Sequence, residues 1–304
     1  MFNIVVYVII WRQVMVEEFI KMRDGFSLAV TKFDIENPVG VVQLVHGAKE
    51  HRKRYYKFCE FLNSIGLAAI ISDNRGHGES VSEDHPLGHM NNFYEIVEDL
   101  HEVSVYIKNT YKDLPLHMFG HSLGSVFARC YIEKYDTEID KLIISGTVNY
   151  RTEVLFGLFI GRIITALKGE KSFSKIMTKL GEWEDDSWIN SDPEIMKKVR
   201  RDPLCVGYKY TIGGIYTIWK SDYEMHQYAN FKCSNKDLPI LSISGEKDPI
   251  TGGMSGLNDS IKSLRRVGYT DVSYKVYDGF KHELTNCRGN EHILKDIGEF
   301  FIGR

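Results

Sequence analysis

Apolar residues in this chain follow two rhythms, and the places where one gives way to the other mark out its elements. Val41-Val42-Gln43-Leu44-Val45 is a short, nearly continuous apolar run, Leu67 to Ser72 reads as the next buried strand, and Lys141 to Ser145, Pro239 to Ser244 and Val272 to Tyr277 also carry strand patterning. Runs of that length, rich in Val and Ile, predict strands buried on both faces of a parallel sheet. Between them the spacing changes to three and four. Ile96, Val97, Leu100, Val103 and Ile107 form one stripe of a helix predicted over Phe93 to Tyr111. Shorter helices are predicted over Arg54 to Ile65, ended by Gly66, over Ser255 to Val267, and from about Asn290. Phe19 to Met22, a turn at Asp24-Gly25, and Phe26 to Phe33 predict a leading β-hairpin. Strands alternating with helices imply an α/β fold with a mostly parallel sheet, whose ligand chemistry falls at the carboxyl ends of the strands.

Two stretches break this alternation. Met1 to Trp11 is almost wholly apolar, too short to span a bilayer, and lacks the basic start and small-residue cleavage site of a signal peptide. Residues 1–15 are expected to be an extension outside the fold, with Met15 as the true start. From about 150 to 231 the strands disappear, and the region is expected to be a helical cap inserted into one core domain made of 16–149 and 232–304. Within it Leu155, Phe156, Leu158, Phe159, Ile160, Ile163, Ile164 and Leu167 could line a pocket, lie on a lipid surface, or simply pack on the core. Phe156, Phe159 and Ile163 are taken as the substrate-binding candidates. Six basic and two acidic residues between Arg151 and Lys179 suit a transient contact with an anionic membrane surface. Trp183, Trp188, Tyr208, Tyr210, Tyr216 and Trp219 are further candidates for the pocket wall.

The chemistry is concentrated at the end of one predicted strand. Gly120-His121-Ser122-Leu123-Gly124 follows an apolar run and precedes a helical pattern, the strand–turn–helix setting of a nucleophile elbow. An ordinary strand–helix turn would carry the same five residues, so the reading depends on partners elsewhere. A Ser hydroxyl needs a base. Of 11 histidines, His282 is the one that follows the last strand and precedes the last helix. The imidazole needs a carboxylate, and Asp248, braced by Pro249 after the strand ending at Ser244, ranks above Glu246. Two amides are needed for an oxyanion: that of Leu123, and that of Ala48 in the loop His46-Gly47-Ala48-Lys49-Glu50-His51.

Composition narrows the rest. With 43% hydrophobic and 26% charged residues the chain has an ordinary globular make-up, and a formal net charge of −3 leaves no electrostatic footprint for nucleic acid. Five cysteines, widely spaced and without C-x-x-C, point to reduced thiols in a cytoplasmic protein rather than a disulfide framework or a zinc site. No metal and no organic cofactor are expected, and the oligomeric state is left open.

Together, His46 to His51 with Tyr55, Asp73-Asn74-Arg75-Gly76-His77-Gly78-Glu79-Ser80, Gly120 to Gly124, the Asp248 loop and Gly279 to Leu284 resemble the α/β-hydrolase superfamily. Within it they resemble the branch of serine hydrolases that includes monoacylglycerol lipases and lysophospholipases. The resemblance implies an α/β-hydrolase fold with an inserted helical cap. It also implies a triad of Ser122, Asp248 and His282, and oxyanion donors at Ala48 and Leu123. Asp73 to Ser80 then reads as a loop-bracing motif, with Arg75 pairing locally. Ser125 stands where many relatives carry Gly, and Cys287 where an acid is common. The expected activity is hydrolysis of monoacylglycerol- or lysophospholipid-like esters. An aminopeptidase or acyltransferase on the same scaffold, and a ligand-binding protein without catalysis, are the alternatives. Glu182, Glu184, Asp185 and Asp186 are the acids an aminopeptidase could use to hold a substrate amine.

Overall fold

The computed structural model describes residues 13–149, 152–181 and 185–303. An antiparallel pair, β1 (Val14–Lys21) and β2 (Ser27–Asp34), opens the chain and is followed by β3 (Gly40–Val45), α1 (Tyr56–Ser64) and β4 (Leu67–Ser72). Then come α2 (Phe93–Thr110), β5 (Leu116–His121), α3 (Leu123–Tyr135) and β6 (Lys141–Ser145). Five helices interrupt the alternation: α4 (Glu153–Lys168), α5 (Lys175–Gly181), α6 (Pro193–Val199), α7 (Pro203–Val206) and α8 (Ile212–Glu224). The sheet resumes with β7 (Ile240–Gly245), α9 (Gly253–Val267), β8 (Val272–Tyr277) and α10 (Glu291–Ile302).

The eight strands lie in the order β1-β2-β4-β3-β5-β6-β7-β8, and β3 to β8 are all parallel. The apolar runs behave as expected for such strands: every residue of β3, β4, β5 and β7 is buried. Alternate side chains serve two separate cores. Val41, Val45 and Met118 pack with residues of α2, α3 and α9, whereas Val42, Leu44 and Phe119 pack with residues of α1 and α10. The strand order reverses at β3: β4 lies on one side and β5 on the other. In open α/β sheets the crevice beyond such a reversal is where ligands bind. The loops after β3 and β5, His46 to His51 and the Gly120–Gly124 turn, meet there.

Two boundaries differ from the sequence reading. β1 begins at Val14, five residues ahead of the predicted hairpin arm, so Val14 and Met15 of the expected extension pair with Asp34 and Phe33. The strand lies at the sheet edge with Val14, Met15 and Phe19 half-exposed or more, so its residues carry little burial signal. Residues 1–12 lie outside the described residues. The helix expected from Arg54 instead starts as a tight 3-10 turn over Arg52–Tyr55, where the Arg52 amide is held by Asp73 Oδ1 at 2.6 Å.

The inserted helices cover the carboxyl ends of the strands. Helix α4 packs on α8 through two glycines: a Cβ at Gly161 would lie 2.8 Å from the Tyr216 ring and one at Gly157 3.1 Å from Trp219. None of the described helices is long and apolar enough to cross a membrane.

Candidate active site

The turn after β5 is held in a shape that only particular residues allow. Ser122 has φ +53° and ψ −122°, a left-handed conformation that costs a non-glycine residue on the order of 1–3 kcal/mol. Its amide donates to Ser145 O at 2.9 Å, and its carbonyl accepts from the Ser125 amide and hydroxyl at 2.9 and 2.6 Å. A Cβ at Gly120 would sit 2.6 Å from Gly124 O, and one at Gly124 would drive into the Val45 carbonyl. Glycine at both positions is thus a packing requirement. The strain lifts Ser122 to the rim of β5, where it is partly exposed to a cavity, and puts Leu123 at the first position of α3. Its amide is one of those the helix leaves unpaired.

The histidine and carboxylate arrive from the neighbouring strand ends. Asp248 lies in the loop after β7 and His282 in the loop after β8. The two side chains are buried, and His282 Nδ1 lies 2.8 Å from Asp248 Oδ2. The second carboxylate oxygen, Oδ1, accepts from the Ile250 amide at 2.9 Å, so the carboxylate cannot rotate freely. Among the described residues His282 Nε2 is a buried nitrogen with no hydrogen-bond partner. His282 and Ser122 line the same cavity. Burial by itself would make the His282 ring harder to protonate. The charge of Asp248 and the hydrogen bond to it outweigh that and raise the ring above its ordinary value. Glu246, the rival carboxylate, is turned away: its Oε2 accepts from the Gly279 amide at 2.9 Å on the exposed side of the loop.

The loop after β3 is fixed from three sides. His46 Nε2 accepts from the Asn74 amide at 2.8 Å, so its Nδ1 carries the proton donated to Gly47 O at 2.8 Å. Burial holds His46 down to about 4, which keeps it in that neutral form. Glu50 Oε2 accepts from the Gly47 amide and from the Tyr55 hydroxyl, each at 2.8 Å. The Lys49 amide, with φ +52°, donates to Tyr210 Oη at 2.9 Å. Ala48 stands between these two tethered amides and faces the cavity. A Cβ on Gly47 would come within 2.9 Å of Ser122 Cβ, which measures how closely the loop approaches the serine.

Two of these braces escape sequence reasoning. Tyr210 belongs to the inserted region, where aromatic residues are hard to rank, yet its hydroxyl joins the cap to the β3 loop. His77 Nδ1 faces only the Arg75 carbonyl, at 3.3 Å, so that nitrogen holds the proton and Nε2 accepts from Tyr210 Oη at 2.8 Å. The Tyr210 hydroxyl therefore donates to His77 and accepts from Lys49. Replacing Tyr210 by Phe removes both bonds and releases the strained Lys49 amide. We expect kcat to fall about 10-fold with KM nearly unchanged, from the usual cost of a buried unsatisfied amide. Steady-state kinetics on a soluble ester check this, and a kcat within twofold of the parent would refute the bracing role. The second brace is Glu50, bound to the Gly47 amide. Burial alone would favour its protonation, but Arg54, His121 and the Tyr55 hydrogen bond hold it well below the usual carboxylate range. Arg54 also pairs with Glu283, beside His282, so one guanidinium links the two loops.

Asp73 to Ser80 does brace this floor: Asp73 accepts from the amides of Arg52 and Glu79 and pairs with the Arg52 guanidinium. Arg75, however, does not pair locally. It forks onto Asp99 of α2 at 2.9 and 2.6 Å and reaches Asp24 in the β1–β2 turn at 2.7 Å.

A cavity of about 680 Å³ extends from Ser122 and His282 under the inserted helices. Of the three pocket candidates, Phe156 lines it, and Phe159 and Ile163 do not. All three lie on the exposed stripe of α4, and only Phe156 reaches the cavity; the buried side is formed by Gly157 and Gly161. Because α4 is apolar on nearly every side, its sequence does not reveal which face turns inward. The wall is made instead by Val148, Val154, Leu180, Ile215, Ile218 and Trp219, with Trp188 and Tyr210 near the polar end. Tyr208 and Tyr216 are not part of it, and Trp183 lies outside the described residues. Of the four acids, Glu182 and Glu184 also lie outside them. Asp185 and Asp186 line the cavity, but Asp186 is forked by Arg200 at 2.8 and 2.6 Å and Asp185 holds the Ser187 amide at 2.9 Å.

Known proteins of similar sequence and shape share this arrangement of chain. A family model described as serine aminopeptidase, S33, matches residues 36–287. A monoacylglycerol lipase from Mycolicibacterium smegmatis is 28% identical over 275 residues, covering 88% of this chain and 89% of its own. A probable lysophospholipase L2 from Haemophilus influenzae is 26% identical over 274 residues, covering 84% and 82%. Among solved structures, a carboxyl esterase from Bacillus coagulans, crystallised with glycerol, superposes with a TM-score of 0.83 at 25% identity. It covers 95% of this chain and 98% of its own.

Proposed function

Given that the chain belongs to the serine aminopeptidase S33 family of α/β-hydrolases, we propose that it cleaves carboxylic esters of the monoacylglycerol or lysophospholipid kind through an acyl-enzyme on Ser122. In this reading His282 Nε2 takes the Ser122 proton as the hydroxyl oxygen attacks the ester carbonyl carbon, and the amides of Ala48 and Leu123 receive the carbonyl oxygen's developing charge. His282 returns the proton to the leaving alcohol as the C–O bond breaks. Water, deprotonated by the same nitrogen, then releases the acid and restores the serine. Asp248 fixes the ring with its proton on Nδ1 and stabilises the imidazolium. The observation that carries the proposal is the buried His282 ring, bound to Asp248 by one nitrogen and unpaired at the other, lining the cavity that holds Ser122.

The relatives described as lipase, lysophospholipase and esterase support an ester over a peptide. So does the wall, whose apolar residues from α4 and α8 suit an acyl chain, while Asp185 and Asp186, the two described acids of the four, are engaged by Ser187 and Arg200. The region 150–231 acts as the cap over the core. Phe156, Phe159, Ile163 and Leu167 form an exposed apolar stripe on α4, and Arg162, Lys168, Lys175 and Lys179 are exposed near it. That pairing suits transient contact with an anionic lipid surface. An ester panel varying chain length and head group, run beside aminoacyl arylamides, tests the proposal. Turnover of monoacylglycerol or lysophospholipid at least 100-fold above any arylamide is expected, with anionic vesicles raising the rate for long-chain esters only. Preferred cleavage of the arylamides would overturn the ester reading in favour of a peptidase.

A further inference from the structure

A second group of chemically capable side chains joins the cap to the core outside the triad. His51 ends the loop that carries Ala48. Asp202 and Cys205 flank the start and third position of α7, where Asp202 Oδ1 caps the Leu204 amide at 2.9 Å. His51 Nε2 lies 2.7 Å from Asp202 Oδ2, and one donor atom from each of His51, Asp202 and Cys205 lies within 4.8 Å of the other two. His51 and Cys205 are 5% and 2% exposed. His51 Nδ1 is buried without a partner, so the hydrogen bond with Asp202 does not satisfy the ring.

We propose that His51, Asp202 and Cys205 form a binding site for a zinc-like divalent metal that clips α7 to the loop carrying Ala48. The donor set is one nitrogen, one carboxylate oxygen and one sulfur, a combination that zinc and its close relatives accept and that magnesium and calcium do not. Zinc bonds of about 2.0–2.3 Å in a tetrahedron set ligand atoms roughly 3.4–3.8 Å apart, so the present spacing needs shifts on the order of 1 Å. The fourth position falls to water, since Cys205 also lines the cavity. On binding, the thiol proton goes to the buffer and the metal–sulfur bond replaces it. Carboxylate and thiolate together then match the two positive charges of the ion. Arg54, whose Nη1 lies 3.9 Å from Cys205 Sγ, therefore faces no net charge, and its own charge is already met by Glu283 and Glu50. Aspartate and cysteine three residues apart match no familiar metal motif, and their histidine lies 151 residues away from Asp202.

Cobalt(II) and zinc(II), each added alone to the full chain, test the site independently of the proposed activity. Stoichiometric cobalt is expected to give a sulfur-to-metal charge-transfer absorption. Zinc is expected to raise the thermal midpoint and displace the cobalt spectrum. C205S should lose the absorption, and H51Q and D202N should weaken binding by at least 10-fold, while C287S keeps it. If C205S does not fold, H51Q and D202N carry the same test. Absence of the absorption in the parent chain, or an unchanged absorption or midpoint shift in these variants, would overturn the proposal. The latter outcome would place the metal elsewhere, on another cysteine where the absorption persists, and leave His51 and Asp202 as a hydrogen-bonded pair only.

Discussion

Replacing Ser122 by alanine should leave a folded chain whose ester turnover is down by about 10⁴- to 10⁶-fold, the range seen when a triad nucleophile is removed. The reasoning rests on separation of roles. The hydroxyl makes no hydrogen bond that holds the turn together; the turn is fixed by the Ser122 amide and carbonyl, which alanine keeps. His282 and Asp248 hold each other and do not depend on Ser122 for their position. The substitution thus removes the attacking oxygen and little else. A fluorophosphonate probe should label the parent and not S122A, with circular dichroism showing both folded. Equal labelling of the two chains, or loss of less than 10-fold in turnover, would move the nucleophile elsewhere. Ser122→Gly gives a further check, because glycine relieves the positive φ. It should be inactive yet melt at a higher temperature than S122A, consistent with strain held at the site for function.

The sheet was legible because its chemistry is local. Each strand from β3 to β7 is a short, mostly apolar run, while β8 at the sheet edge leaves Ser273, Tyr274 and Lys275 exposed; each ends in a loop, and three of these loops hold the three proposed triad residues. Order along the chain then supplied what distance could not, since Ser122, Asp248 and His282 are far apart in sequence. The links that cross between cap and core were not legible. Tyr210 bonds Lys49 and His77 from 161 and 133 residues away, and nothing in its own neighbourhood marks it. The same is true of Arg75, whose partners Asp99 and Asp24 lie 24 and 51 residues off. Helix α4 failed for a different reason. A helix apolar on nearly all sides has no preferred face in sequence, so its pattern offers Phe159 and Ile163 for a cavity that they do not line. An edge strand such as β1, exposed along most of its length, gives a similarly weak signal, so its first residues look like an extension in the sequence.

Changing Asp248 to Asn should cost about 10⁴-fold in turnover, the loss this exchange causes in other Ser-His-Asp triads, and the two hydrogen bonds of Asp248 explain why. Oδ1 accepts from the Ile250 amide and must stay an oxygen, so the asparagine amide nitrogen takes the place of Oδ2. It then presents N–H groups to His282 Nδ1, which lies 2.8 Å from that position. The ring responds by moving its proton to Nε2, the nitrogen that must be bare to accept the serine proton. The pH profile supplies a second readout with a definite sign. The base works only when unprotonated, so the acid limb of kcat/KM follows the His282 pKa, which Asp248 lifts above its ordinary value against the effect of burial. Without that negative charge burial is opposed only by the smaller influence of Glu50 and Glu283, and the ring becomes harder to protonate. The acid limb of the residual activity should therefore move to lower pH in D248N. E246Q, altering a carboxylate that holds only the Gly279 amide, should keep both the rate and the limb of the parent. If E246Q shifted the limb while D248N left it in place, the carboxylate assignment would have to be exchanged.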